Sequence, residues 1–356
     1  MEEEGPCGGP DTKGKPMFEK VTVAVDALGG DNAPGVVLEG TAAALAADHA
    51  LEVVLCGPAD VVEPFALDHD RCTPHPTTEA ISMGEHPAAA VRKKKDSSIV
   101  VGCRLVKEGQ AEGFFSAGST GACLAAATLV MGRIKGIARP ALATVVPSPV
   151  SPVVLCDVGA NADCKPEYLV QFAQMATVYM EKIVKVPEPR VALLNIGEEE
   201  EKGSVFAQEA HRLLAERVQN FAGNGEGSDI LAANYDIFVT DGFTGNVCLK
   251  TIEGTSKTLF RTLKDIFMES LLTKLGALAI KGSLRELMVQ VSPDTYGGAP
   301  LLGVRGACIV GHGSSGALAI KNGILTTAAT ARAQVSEIIA QTVAGAERSA
   351  TMETDS

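Results

Sequence analysis

Short β-branched apolar runs, each closed by a glycine-rich polar turn and followed by a helical pattern, recur along the chain. That alternation constrains the fold more than any other feature. Residues 21–25 run into Asp26-Ala27-Leu28-Gly29-Gly30-Asp31, and a helix is expected over 34–47. Residues 51–56 end at Gly57-Pro58, and 113–116 lead through a turn into a helix over 121–131. Further strands are expected at 142–146, 152–156, 191–194 and 237–239. Helical patterns cover 166–184, 203–221, 247–269 and 316–343, and 220–228 reads as a surface loop. Alternation of this kind implies right-handed crossovers and a mainly parallel sheet covered by helices.

The chain has 356 residues, suited to one large α/β unit over 18–343 that can divide into two subdomains. Aromatics make up 4% and there is no Trp, so Ala, Val, Leu and Ile must build the core. The same scarcity argues against a base-stacking surface, and a net charge of −12 argues against nucleic acid as a partner. Cys7, Cys56, Cys72, Cys103, Cys123, Cys156, Cys164, Cys248 and Cys308 show no paired metal-ligand spacing. They read as reduced thiols of a cytoplasmic protein, with Cys123 and Cys156 as core residues. Residues 1–17, polar and rich in Gly and Pro, read as a disordered extension without a signal-peptide core, and 344–356 as a frayed tail. No apolar run approaches the roughly 18–20 residues that span a bilayer.

Four turns are candidates for anion binding: 26–34 (DALGGDNAP), 116–122 (SAGSTGA), 157–163 (DVGANAD) and 241–246 (DGFTGN). Each sets Gly among Ser, Thr, Asn or Asp after an apolar run, where backbone N–H groups converge at helix starts. None is a Walker A motif or a dinucleotide fingerprint, so spacing implies no nicotinamide cofactor. Lys202 follows four carboxylates, Glu198 to Glu201. It is either a solvated ion pair at a helix start or a charge aimed at phosphate or an oxyanion. His312, in the Gly-His-Gly-Ser-Ser turn, is either a backbone-satisfied turn residue or a proton donor. Arg92, Lys93, Lys94 and Lys95 form the densest basic run, a solvated face or a dock for an acidic partner. Over 261–289, Leu271, Leu272, Leu275, Leu278 and Ile280 crowd beside Gly276 and Gly282 with interspersed cations. That segment reads as a core or interface helix pair, or as a hairpin that dips into an anionic membrane surface.

As a set, these stretches resemble the phosphate acyltransferase family (acyl-carrier-protein:phosphate acyltransferases). The resemblance rests on VAVDALGGDNAP, ISMGEHPAAAVRKKKDSSIVVG, GFFSAGSTGA, CDVGANADCKPEYL, LLNIGEEEEKG, VTDGFTGNVCLKTIEG, TYGGAPLLG and GHGSS, in order from about residue 21 to 325. Leu28, Asn32-Ala33 and Gly311 depart from residues common in the family.

The resemblance implies a three-layer α/β/α sandwich like that of phosphotransacetylases and isocitrate or isopropylmalate dehydrogenases. It implies a homodimer, no cofactor and peripheral membrane attachment; the cysteine spacing already implies no metal. The activity implied is acyl transfer from an acyl carrier protein to inorganic phosphate, feeding a glycerol-phosphate acyltransferase in phospholipid synthesis. On that footing Lys202, Asn246 and His312 are the expected catalytic groups. Asp26, Gly29, Gly30, Gly118, Ser119, Thr120, Gly121, Asn161 and Gly245 are expected to bind phosphate or substrate. The basic run 92–95 would dock the carrier protein, and the leucine-rich tip would touch the membrane. Two alternatives stay open: a metal- and nicotinamide-dependent decarboxylating dehydrogenase using Asp26, Asp31 and Asp241, and a carrier-binding membrane scaffold without activity.

Overall fold

A computed structural model describes residues 19–290 and 292–354. The expected extension at 1–17 lies outside the described residues. Among these, eleven strands form one sheet in the order β3-β2-β1-β4-β11-β10-β5-β6-β9-β7-β8. In chain order they are β1 (Val21–Asp26), β2 (Leu51–Gly57), β3 (Cys72–Pro76), β4 (Gly113–Ser116), β5 (Ala141–Val146) and β6 (Val153–Cys156). They continue with β7 (Val191–Leu194), β8 (Phe221–Gly225), β9 (Ile237–Val239), β10 (Ala299–Leu302) and β11 (Ala307–Val310).

The helices are α1 (Gly35–Ala47), α2 (Ala59–Leu67), α3 (Pro87–Lys93), α4 (Ser98–Lys107), α5 (Thr120–Ala126), α6 (Pro166–Tyr179) and α7 (Val205–Arg217). After them come α8 (Gly227–Ala232), α9 (Gly242–Met268), α10 (Leu271–Ala279), α11 (Lys281–Gln290), α12 (Ala317–Arg332) and α13 (Val335–Thr354). The last helix thus runs past residue 343, where the apolar pattern fades. The expected 316–343 helix is broken at Gln334, which takes φ 51°.

Alternation along the strands sorts side chains onto two faces. In β5, Leu142 and Val146 enter one core while Ala141, Ala143 and Val145 enter another. In β11, Cys308 and Val310 face one side and Ile309 the other. The first face is covered by α4, α5 and the start of α9; the second by α1 and α12 over one half and by α6, α7 and α13 over the other. Three layers result, as the composition and strand pattern require. Burial raises the thiols of Cys103 and Cys156, and that of Cys123 to about 12, which fits core residues rather than nucleophiles.

The sheet is mainly parallel, as expected, but one of its edges departs from the sequence reading and its centre holds a reversal. The segment 220–228 is not a loop: it is edge strand β8, parallel to β7, followed by α8. Its Gly and Asn content hid it because an edge strand needs few apolar side chains; Asn224 is buried instead through hydrogen bonds to His211 and the Glu199 carbonyl. The sheet also reverses at its centre. β10 is antiparallel to both β11 and β5, and β5 is antiparallel to β6. Consequently β6, β7, β8 and β9 run opposite to β1–β4 and β11.

Candidate active site

The central reversal divides the four glycine-rich turns into two pairs. The turns after β1 and β4 leave one edge of the sheet, joined by the 311–315 turn after β11. Those after β6 and β9 leave the other edge. They approach each other over the central strands. Thr120, at the start of α5, and Ala160, in the 157–163 turn, line one small depression floored by Leu142, Leu301 and Val310. The candidate site is this cleft.

On the first side Asp26 anchors the turn. It is buried at 2% exposure and accepts hydrogen bonds from Ser116 Oγ at 2.7 Å and the Leu28 N–H at 3.0 Å. Burial raises its carboxyl above the ordinary value, while Ser98, Ser116 and Leu28 pull it back down. Gly29 is buried with the Ala117 and Gly118 backbone against it, and the Gly118 N–H is spent on Ser116 Oγ at 3.0 Å. The Asp31 N–H donates to the Gly313 carbonyl at 2.7 Å, so Gly30 and the first turn are tied to the histidine turn. Ser119 caps α5 by accepting from the Ala122 N–H. The N–H groups of Thr120 and Gly121 find no acceptor among the described residues, and Thr120 is exposed. These two amides are among the donors left open on this side. His312 is exposed; its Nδ1 lies 2.8 Å from Ser314 Oγ and accepts from the Ser314 N–H at 3.2 Å. That bond places the ring proton on Nε2, so His312 presents an N–H donor.

On the second side one carboxylate organises everything, and the sequence reading passed over it. Asp157 has no exposure. Its Oδ1 accepts from the N–H groups of Leu142, Gly159 and Ala160 at 3.0, 3.2 and 3.0 Å. Its Oδ2 accepts from the Asn161 N–H at 2.7 Å and Asn161 Nδ2 at 2.9 Å. Burial raises this carboxyl and the hydrogen bonds oppose it; because every one of these neighbours is a donor, the geometry accommodates the ionised form. The second Nδ2 bond of Asn161 goes to the Pro140 carbonyl at 2.8 Å. Asn161 therefore holds the turn and has no amide hydrogen left for phosphate, contrary to the expected cradle role. Gly245 is also structural: a Cβ there would lie 1.9 Å from the Asp157 carbonyl oxygen.

The expected 241–246 turn is itself the first turn of α9, which begins before residue 247 because Asp241 caps it, accepting from the Thr244 N–H at 2.8 Å. This early start puts Asn246 on the helix beside Gly159. A Cβ on Gly159, which sits at φ 132°, would come within 3.2 Å of Asn246 Nδ2. Asn246 is half-buried, and its side chain makes no hydrogen bond among the described residues.

Lys202 lies on the loop after β7, at the same edge of the sheet as Asn246. It is exposed, 3.9 Å from Glu199, so the local geometry is a loose surface pair. The loop beneath it is tightly held: Asn195 Nδ2 donates to the Lys202 carbonyl, Gln208 to that of Glu201 and Asn224 to that of Glu199. Of the dehydrogenase alternative's acids, Asp26 is spent on Ser116 and Asp241 on its helix cap, and they belong to opposite sides of the cleft.

Outside the cleft, Arg92, Lys93 and Lys95 are exposed, whereas Lys94 is engaged with Glu85 and the Ala80 carbonyl. Leu271, Leu272, Leu275 and Leu278 are 82, 80, 64 and 65% exposed, and α10 buries nothing. Ile280, which caps α10, is exposed as well. Among the described residues no helix is long and apolar enough to cross a membrane.

A family model described as "Fatty acid synthesis protein" matches residues 21–338. A phosphate acyltransferase of Desulfitobacterium hafniense is 48% identical over 306 residues, covering 85% of this chain and 91% of the relative. One from Clostridium perfringens is 46% identical over 307 residues with the same coverage. Among solved structures, a Streptococcus pyogenes phosphotransacetylase superposes with TM-score 0.58 at 17% identity, covering 88% of this chain and 94% of its own. A branched-chain phosphotransacylase from Enterococcus faecalis gives 0.55 at 14%, covering 88% and 99%. At those identities the structural likeness establishes the fold.

Proposed function

Because the chain belongs to the fatty acid synthesis protein family, whose curated relatives are named phosphate acyltransferases, and is thus an enzyme of acyl transfer to phosphate, we propose a specific donor and product. The donor is the fatty acyl thioester of an acyl carrier protein, and the products are acyl phosphate and the free carrier thiol. The observation that carries this reading is the convergence of two turns on one depression, lined by Thr120 and Ala160, with uncommitted donors beside each: the Thr120 and Gly121 amides on one side and Asn246, against Gly159, on the other.

A phosphate oxygen attacks the thioester carbonyl carbon. The carbonyl π electrons move to oxygen and return as the C–S bond breaks. The sulfur leaves with the bonding pair and takes up the proton that hydrogen phosphate gives up. Phosphate is already an anion at neutral pH, so the protein's task is to strip its water, orient it and stabilise the oxyanion. In this reading the α5 amides and the Thr120 hydroxyl hold phosphate. Asn246 donates to the developing oxyanion, and Lys202 contributes charge as the substrate draws it inward. His312 Nε2–H donates a hydrogen bond to the leaving sulfur, which takes its proton from hydrogen phosphate.

The acidic carrier would dock on Arg92, Lys93 and Lys95. The leucines of α10 would rest on an anionic membrane face, where an insoluble acyl phosphate passes to a glycerol-phosphate acyltransferase of phospholipid synthesis. The protein would act as a homodimer at the cytoplasmic membrane surface. Purified protein with palmitoyl carrier protein and labelled phosphate should form labelled acyl phosphate with stoichiometric release of carrier thiol. Thiol release without phosphate dependence would refute the reading.

A further inference from the structure

The 82–87 turn, which leads from β3 into the first residue of α3, lies against the 116–122 and 311–315 turns on the first side of the cleft. Pro87 Cγ lies 2.7 Å from where a Cβ on Gly121 would stand. Met83 Cε lies 3.4 Å from the corresponding point on Gly313, next to His312. Met83 is 60% exposed, an apolar side chain beside the histidine turn.

The turn is held from behind by a dense polar lacing. Lys94 Nζ donates to the Ala80 carbonyl at 2.6 Å and to Glu85 Oε1 at 2.7 Å. The same Glu85 oxygen accepts the Ser82 N–H at 2.7 Å and its hydroxyl at 3.0 Å, closing the turn around Met83. Asp96 accepts both the N–H and the hydroxyl of Thr78, and its own N–H donates to Glu79. Lys94 is the sole cation with hydrogen bonds in this lacing among the described residues, and it draws the Glu85 carboxyl down to about 2. An exposed docking cation would present its ammonium to solvent; this one spends it on two partners within its own neighbourhood.

We propose that Lys94 and Glu85 are positioning residues that latch the 82–87 turn, with Met83 at its tip, as a wall of the cleft beside His312 and Gly121. The proposal rests on the acyl-transfer reading of that cleft. It separates Lys94 from its neighbours: Arg92, Lys93 and Lys95 would govern carrier encounter, Lys94 the geometry of the reacting groups.

The test uses the full chain and a small acyl-pantetheine thioester that bypasses carrier docking. Lys94→Met should lower kcat about tenfold or more, since displacement of a positioning wall by an ångström can cost up to ~100-fold. It should also speed amide hydrogen exchange at Ser82 and Glu85. Lys94→Arg should restore most of both, and Lys107→Met, on the exposed end of α4, should alter neither. If Lys94→Met leaves kcat and exchange unchanged and raises only the KM for the carrier thioester, Lys94 is a docking cation and the latch is refuted. A parent protein that forms no acyl phosphate would sink the functional reading instead; exchange at Ser82 and Glu85 would still decide whether Lys94 holds the turn.

Discussion

Asp157→Asn tests the architecture of the second side of the cleft with almost no change in volume. The carboxylate accepts three hydrogen bonds at Oδ1 and two at Oδ2, and it is fully buried. An amide offers one acceptor atom. Its oxygen will take the three-donor side, turning the NH2 group toward the N–H and Nδ2 of Asn161. Two hydrogen bonds to a charged acceptor are then replaced by donor–donor contacts. At about 1.5–3 kcal/mol each, the loss is roughly 3–6 kcal/mol. Against a total stability of about 5–15 kcal/mol this is a large fraction. With a urea slope near 3 kcal/mol/M, the unfolding midpoint should fall by about 1–2 M. The turn also carries Gly159 against Asn246, so acyl-phosphate formation should drop even at urea-free conditions where the variant remains folded by circular dichroism. An unfolding midpoint within about 0.3 M of the parent would refute the reasoning, because it would mean that the five donors are not held by an ionised carboxylate.

Asn246→Ala should cost about 2.7–4 kcal/mol of transition-state stabilisation if its amide meets the oxyanion, read as a fall in kcat with phosphate saturating; Lys202→Ala, without effect on folding, should lower the same rate. Leu275→Glu with Leu278→Glu should release the protein from sedimented anionic vesicles, since each inserted leucine contributes roughly 1.5–3 kcal/mol, while turnover of a soluble thioester persists. Loss of fold or a change in sedimentation coefficient without vesicles would show those leucines covered in solution. Asp48 is opposed by burial yet lowered below its usual 3.8 by Arg332 Nη1 at 2.6 Å and the Ala50 N–H. Its contribution is therefore present above about pH 4 and lost as pH falls through the lower folded value. Asp48→Asn should cost roughly 1.5–3 kcal/mol at pH 7, with the gap to the parent narrowing in urea melts below pH 4.

The strands were legible because their signal is local. Residues 113–116, 191–194 and 237–239 are strands at the expected bounds, since short apolar runs between turn residues need no distant partner to be recognised. Family membership was legible for a similar reason: the turn motifs are contiguous in sequence. β8 was not, because an edge strand carrying Asn and Gly has no apolar alternation to read. The candidate site was half legible. Thr120 lines the cleft and Asn246 lies beside Gly159 of the facing turn, whereas the Asn161 amide is taken up by Asp157 and Pro140 and Gly245 packs on the Asp157 carbonyl; Asp157 itself was missed. Nothing in DVGANAD distinguishes an acid that binds a ligand from one that ties its own turn. That difference lies in Leu142, whose N–H reaches Asp157 only once β5 lies beside β6.

By itself, then, the sequence determined which segments become strands and helices and which turns carry polar groups, because those choices depend on neighbours a few residues apart. Which turns confront each other was decided only by the tertiary structure. Three antiparallel pairings around β10 and β5 reverse the second half of the sheet and send its turns to the opposite edge. Lys94 was separated from the basic run in the same way: Ala80 and Glu85 reach its ammonium across a loop, committing one charge of four to partners within the protein. Strand direction and such long-range hydrogen bonds are properties of pairing between distant segments, and no local pattern of residues encodes them.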